Sequence, residues 1–282
     1  MTAEPLANSY SVKAQLIPSN QGKLFSLFYS PGTATRIQPQ TAVVFFPPFT
    51  EEMNKSRRMV ALQARRFCEQ GLAVFIVDLY GTGDSEGNFE QATWEIWQQD
   101  MRSAVAWLGD QGINQFIFWG LRAGVFLALQ TAAAVNVNIS KFIMWQPVAR
   151  GEVMLTQFLR LRMAADLMSS SEKITTKDLR QQLANGNNVE IAGYNLSPLL
   201  AKSIDTLQLK TLIPAREIPL LWVEVLPSDS RPVSAVSQQI VDYWRDQGVT
   251  VELVKIVGEP FWNTIEIAEV SNLLEVSSQY CA

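Results

Sequence analysis

The stretch FIFWGLRAGVF, Phe116–Phe126, decides the fold. Its first half is a short apolar run of strand composition, and its second half is a glycine-flanked turn into an apolar helix, with Gly120 and Gly124 two positions either side of Arg122. A strand that passes into a helix through so tight an elbow needs small neighbours, because the turning backbone leaves no room for a Cβ. Such an elbow lies at the carboxyl end of a strand, where open parallel sheets build their sites. The residue presented there is an arginine, which stays protonated and can serve as neither base nor nucleophile.

Working outward from this elbow, short apolar runs alternate with amphipathic helices. TAVVFFPPF precedes a helix over Ser56–Gln70, LAVFIVDLYG a helix over Gln91–Asp110, and QFIFWG a helix over Arg122–Ala134, followed by KFIMWQPV. IPLLWVEVLP then precedes a helix over Val233–Gln247, and VTVELVKIV a last helix over Thr264–Gln279. Continuous apolar strands between helices predict an α/β protein with a mostly parallel central sheet covered on both faces. Ahead of this series, SVKAQLI and KLFSLFYS alternate about PSNQG and predict an antiparallel hairpin at the sheet edge.

The rhythm breaks between Ala149 and Pro214. GEVMLTQFLRLRMAADLMSS is helical in pattern, and LANGNNVEIAGYNLSP sets turn residues around a short strand-like run. A stretch of about 65 residues struggles to form its own core, so it reads as a small cap insertion. The expected organisation is a core in two parts, 1–148 and 215–282, interrupted by a cap over 149–214. No internal repeat or low-complexity segment is visible.

Composition narrows the chemistry. The 282 residues are 48% hydrophobic, enough for a sizeable core, while a net charge of −4 gives no basic field for nucleic acid. There is no histidine, so a Ser or Cys nucleophile has no ordinary base, and the commonest nitrogen ligand of a catalytic zinc is missing. The two cysteines, Cys68 and Cys281, form no metal spacing or disulfide framework, so neither metal nor cofactor is expected. The amino-terminal stretch lacks a basic region followed by an apolar one, and no run approaches the ~18 apolar residues of a membrane span. Cytoplasmic residence, without a transmembrane segment, is the expectation.

Residues just after each strand are the site candidates. FFPPFTEEMNKSRR carries Pro48, Glu51, Glu52, Asn54, Lys55 and Arg57, which either build a polar pocket or form a solvated loop and a helix start capped by Asn54 or Ser56. DLYGTGDSEG offers Ser85 in a tight loop whose spacing is not that of a phosphate-binding loop. VEVLPSDSRP places Glu224 and Asp229 where a carboxylate can face the elbow, although Asp229 also suits a helix cap. IVGEPFWNT offers Phe261 and Trp262 as an apolar pocket wall or as core.

Taken together, the VVFFPPF strand and loop, DLYGTGDSEG, the GLRAG elbow and Asp229 resemble the α/β-hydrolase superfamily over nearly the whole chain. More narrowly, PPFTEEMNKSRRM, DLYGTGDSEGNF, WGLRAG and GEPFW look like the exosortase A system-associated hydrolase type 2 family. That resemblance implies an α/β-hydrolase fold and a link to bacterial exopolysaccharide production and exosortase systems, with a protein partner from such a system. It also implies that the family's nucleophile falls at Arg122, its acid near Asp229, its base around Pro260 and Phe261, and its oxyanion loop near Pro47 and Pro48. Neither proline has a backbone N–H to donate.

Two readings of Arg122 follow. Either it clamps the carboxylate or phosphate of a small acyl or anionic ligand, or it is neutralised internally by Glu51, Glu52, Glu224 or Asp229; both hold if the ion pair floors a pocket. The function expected is that of a non-catalytic ligand- or partner-binding protein. The alternative is an ester, thioester or other acyl hydrolase with an unconventional site, for instance a Ser85–Lys55 pair.

Overall fold

The computed structural model describes residues 10–32, 40–169 and 174–282, with side chains of 164–169 left out of the description. Residues 1–9, read above for a leader, and Ser170, at the end of the stretch read as helical, lie outside this set.

In chain order, β1 (Tyr10–Pro18) and β2 (Lys23–Pro31) form the expected hairpin, followed by β3 (Thr41–Phe46), α1 (Glu51–Glu69), β4 (Ala73–Val77) and α2 (Trp94–Asp110). Next come β5 (Gln115–Leu121), α3 (Gly124–Ala134), β6 (Asn138–Trp145) and α4 (Gly151–Ser169). α5 (Thr176–Ala184), the small hairpin β7 (Val189–Ile191) and β8 (Tyr194–Leu196), and α6 (Pro198–Asp205) lead to β9 (Leu220–Leu226). α7 (Ala235–Asp246), β10 (Val251–Val257) and α8 (Ser271–Cys281) complete the chain.

The main sheet runs β1-β2-β4-β3-β5-β6-β9-β10, parallel from β4 to β10, with β2 antiparallel to β4 and β1 at the edge. The central strands have no polar face because both sides are covered: Val43, Val44, Phe45 and Phe46 of β3 are all buried. One core lies beneath α1 and α8, through Met59, Phe67 and Leu273. The other lies beneath α2, α3 and α7, through Met101, Phe126 and Trp244. Apolar side chains from the segment between β6 and β9, among them Leu155, Leu159, Leu183 and Leu200, join this second core.

Several helix boundaries differ from the sequence expectation, α2 for instance starting at Trp94 and not Gln91, and three of the shifts have a clear cause. α1 begins five residues early, at Glu51, because the turn out of β3 is made at Thr50 and not at Asn54 or Ser56. α3 begins at Gly124, since Arg122 itself sits at φ 55 and is not helical. The last helix starts at Ser271 and not Thr264, because after Phe261 and Trp262 are buried the chain runs over the surface, with Ile265 and Ile267 exposed, until Val270 docks.

Candidate functional site

The segments that leave three adjacent strands, β3, β5 and β6, carry non-glycine residues at positive φ: Thr50, just before α1, at φ 50, Arg122 at φ 55 and Gln146 at φ 44. Each such residue costs about 1–3 kcal/mol and persists only where its surroundings over-determine it. The surroundings here are specific. The Arg122 N–H donates to the Trp145 carbonyl at 2.9 Å, the Gln146 N–H donates to the Val223 carbonyl at 2.8 Å, and the Gln146 side-chain oxygen accepts from the Val225 N–H at 2.7 Å. The elbow is held by close backbone approach as well: a Cβ on Gly124 would lie 2.0 Å from the Phe46 carbonyl oxygen.

Over this elbow lies a cavity of about 390 Å³. The first turn of α1 contributes Glu51, Glu52 and Lys55, the elbow Arg122, α4 Met154, Phe158 and Leu161, and the loop after β10 Trp262. Arg122 Nε donates to Glu52 Oε1 at 3.0 Å, with side chains 14% and 21% exposed respectively, and its guanidinium carbon sits 5.5 Å from the centre of the Trp262 ring. The ion pair and the ring fix the guanidinium plane and occupy one edge of it. Among the described residues neither Nη of Arg122, nor Lys55 Nζ, has a hydrogen-bond partner.

Glu52 is equally incompletely paired, since its buried Oε2 has no hydrogen-bond partner among the described residues. Burial pushes its carboxyl above the ordinary range, opposed by the charge and hydrogen bond of Arg122 and by Lys55. Glu51 instead lies beside the Tyr194 hydroxyl, whose pKa is raised to about 12, chiefly by burial and then by the Glu51 charge.

The structure therefore brings together Glu51, Glu52, Arg122 and Trp262, and assigns the remaining candidates elsewhere. Asp229 has a side chain 88% exposed and pairs with Lys255 at 2.8 Å, not with Arg122. Glu224 is buried in β9 and its Oε2 accepts from the Ser234 N–H, which fixes the entry to α7. Arg57 pairs with Asp78 at 3.1 Å, and Asn54 donates to the Tyr194 hydroxyl at 3.1 Å. Pro48 lines a separate crevice of about 10 Å³, and Phe261 is core, edge-on to Trp145 and Trp262.

Ser85 is fully engaged: its Oγ accepts from the Phe25 N–H at 2.8 Å and donates to the Asp78 carbonyl. The glycine-rich loop around it wraps a carboxylate of its own chain, for Asp78 Oδ2 accepts from the Asp84 N–H at 3.1 Å and lies 1.9 Å from where a Gly83 Cβ would stand. Ser85→Ala is expected to lower stability by about 1 kcal/mol through the lost hydrogen bonds, read as a urea midpoint shift, with the cavity unaffected.

Phe49, Met154, Gln157, Phe158, Leu161 and Asn263 also line the cavity and were not among the sequence candidates. The signal for three of them was present in MLTQFLRL, where Met154, Phe158 and Leu161 recur at helical spacing on one face.

This geometry can be set beside known proteins. A family model described as serine aminopeptidase, S33 matches residues 37–216, more than half of the chain. No protein of curated function matches significantly. Among solved structures, the chain is similar to Est1E from Butyrivibrio proteoclasticus with ferulic acid bound, at 17% identity and a TM-score of 0.67, covering 95% of this chain and 98% of that one. It is similar to the Pyrococcus furiosus esterase Pf2001 at 14% identity and a TM-score of 0.63, over 96% and 90% of the two chains. Alpha/beta hydrolase domain-containing protein 10 from mouse matches at 14% identity and a TM-score of 0.63, over 95% and 96%. With its eight-stranded, mostly parallel sheet and its strand-to-helix elbow, the chain has the α/β-hydrolase fold and belongs to the serine aminopeptidase S33 family.

Proposed function

We propose that this protein binds an anionic ligand at Arg122 and does not turn it over. The observation that carries this reading is the half-used guanidinium: Glu52 and Trp262 hold one edge and one face, while both Nη groups have no partner among the described residues beside a cavity that Lys55 also lines. A planar fork of donors backed by an ammonium suits a carboxylate or phosphate. The elbow presents no nucleophile, the chain has no histidine to act as base, and Pro47 and Pro48 in the adjoining loop each lack a backbone N–H. By resemblance, the protein serves a cytoplasmic step of a bacterial exopolysaccharide or exosortase system, the segment 149–214 acting as a cap over the cavity.

The test has two arms. Purified protein assayed with p-nitrophenyl acyl esters and acyl thioesters is expected to show no turnover above buffer. Titration with acetate and inorganic phosphate is expected to quench or shift the emission of Trp262, the change disappearing in Trp262→Phe and in Arg122→Gln. Robust turnover, or anion responses indifferent to Arg122, would sink the proposal.

A second reading, acyl hydrolysis, gains support from one feature: Glu52 carries an oxygen with no partner among the described residues, and burial raises its carboxyl above the ordinary value. Turnover of the same esters abolished by Glu52→Gln and untouched by Ser85→Ala would establish it in place of the first.

A further inference from the structure

The charged groups around the cavity are not equally committed. Glu51 lies beside the Tyr194 hydroxyl, and Glu52 Oε1 accepts from Arg122 Nε. Among the described residues the Nη groups of Arg122 and the ammonium of Lys55 have no hydrogen-bond partner, and on the acceptor side Glu52 Oε2 has none either. Beside these donors Phe49, Met154 and Phe158 present buried apolar surface, and Leu161, 38% exposed, continues it toward solvent.

We infer that the ligand is a monocarboxylate with an aliphatic or aromatic tail, its carboxylate between the Arg122 Nη groups and Lys55 and its tail along Met154, Phe158 and Leu161. The inference rests on the anion-binding reading above and narrows it in three respects.

The first is charge. Glu51 and Glu52 cancel Lys55 and Arg122, so the cavity can compensate a single added negative charge far better than two. A second carboxylate drawn to the same guanidinium raises the proton affinity of Glu52 further, and Glu52 is already biased that way by burial. One proton taken up by Glu52 neutralises one ligand charge and leaves a dianion half-compensated. The charged and titratable groups facing Glu52 are Arg122 from the elbow, and Glu51 and Lys55 from its own helix, with Tyr194 of the small hairpin beside Glu51.

The second is shape. A carboxylate is planar and matches two parallel N–H donors, which the stack on Trp262 holds in one orientation. The third is polarity along the cavity: the charged donors lie at the elbow and α1, the α4 side is apolar apart from Gln157, and Asn263 adds an amide beside Trp262. About 390 Å³ falls within the size range of small-molecule sites and accommodates a chain beyond the head group. An ester or alcohol of the same tail lacks the charge that the donors require, so the site selects the free acid over its ester.

The experiment is calorimetric titration at pH 7 of the full-length protein with octanoate, 3-phenylpropionate, acetate, 1-octanol, methyl octanoate and octyl phosphate, below their aggregation limits. Octanoate and 3-phenylpropionate are expected to bind at least tenfold more tightly than octanol, methyl octanoate and acetate, corresponding to loss of a charge-assisted hydrogen-bond pair or of the tail contact. Arg122→Gln is expected to reduce octanoate binding at least tenfold, and Lys55→Met and Leu161→Asp, both at positions that are not fully buried, severalfold each. Circular dichroism establishes that each variant is folded, and Lys55→Met and Leu161→Asp carry the test if Arg122→Gln is not.

Tighter binding of octyl phosphate than of octanoate overturns the monocarboxylate while leaving anion recognition intact. Acetate equal to octanoate overturns the tail and again leaves anion recognition intact. Binding of no anion in a manner dependent on Arg122 or Lys55 overturns both proposals.

Discussion

Gly124→Ala is expected to destabilise the protein by about 3 kcal/mol or more, at the upper end of overpacking effects. The added Cβ would stand 2.0 Å from the Phe46 oxygen, 2.6 Å from the Phe46 carbonyl carbon and 2.8 Å from the Pro47 oxygen. These are backbone atoms of β3 and its exit, so no rotamer change relieves the clash. Either α3 lifts off the sheet or β3 shifts, and both movements disturb the turn at Thr50 that sets α1 and Glu52 against Arg122. Urea unfolding is the measurement; an unchanged midpoint would mean that the elbow tolerates a side chain and that its packing is misjudged. Gly83→Ala meets a softer obstacle, the Asp78 carboxylate, although its φ of +53 adds strain. A smaller loss is expected there, accompanied by weakening of the Arg57–Asp78 pair.

Arg122→Ala is expected to cost about 2–3 kcal/mol at neutral pH, less than the 3–5 kcal/mol typical of a broken buried pair because both side chains retain some exposure to the cavity. The loss has a pH signature. Burial raises the Glu52 carboxyl from its ordinary value of 4.5, and removing the guanidinium takes away the leading effect that holds it down. A carboxyl whose folded pKa lies above its unfolded pKa contributes stability that is fully present below the unfolded value and is lost as pH rises through the folded one. The variant is therefore expected to approach the parent near pH 4.5 and to fall away from it between there and neutrality. Adding Glu52→Gln to Arg122→Ala is expected to flatten this difference and recover part of the stability. Urea midpoints measured across pH 4.5 to 8 check the prediction, and a loss independent of pH would remove Glu52 from the account.

The fold was legible because its signals are local and repeated. Six apolar strand runs separated by helix-period segments specify a covered parallel sheet, and the glycines at 120 and 124 locate the elbow because nothing larger passes between β5, α3 and β3. The partner of Arg122 was only one of four carboxylates at neighbouring tips. Choosing among them required the start of α1, and a helix starting at Ser56 would have left Glu51 and Glu52 in a loop. The actual start depends on a threonine at positive φ, which residue preference argues against. Asp229 and Glu224 lie after the right strand and still do not reach Arg122, because Lys255 and the Ser234 N–H take them. The hairpin of Tyr194 and Asn195 left no pattern strong enough to foretell its contacts with Glu51, Asn54 and Glu90, which join residues far apart in the chain.

The backbone of Arg122 is held by contacts its side chain does not make: the bond of its N–H to the Trp145 carbonyl, and the glycine two residues on that lets α3 press against β3. What is displayed at the elbow is thus independent of how the elbow is built. The scaffold works as a socket, holding whichever head group occupies position 122 at the same height over the same cavity, so that exchanging a single side chain changes the chemistry on offer while the architecture around it stays as it was.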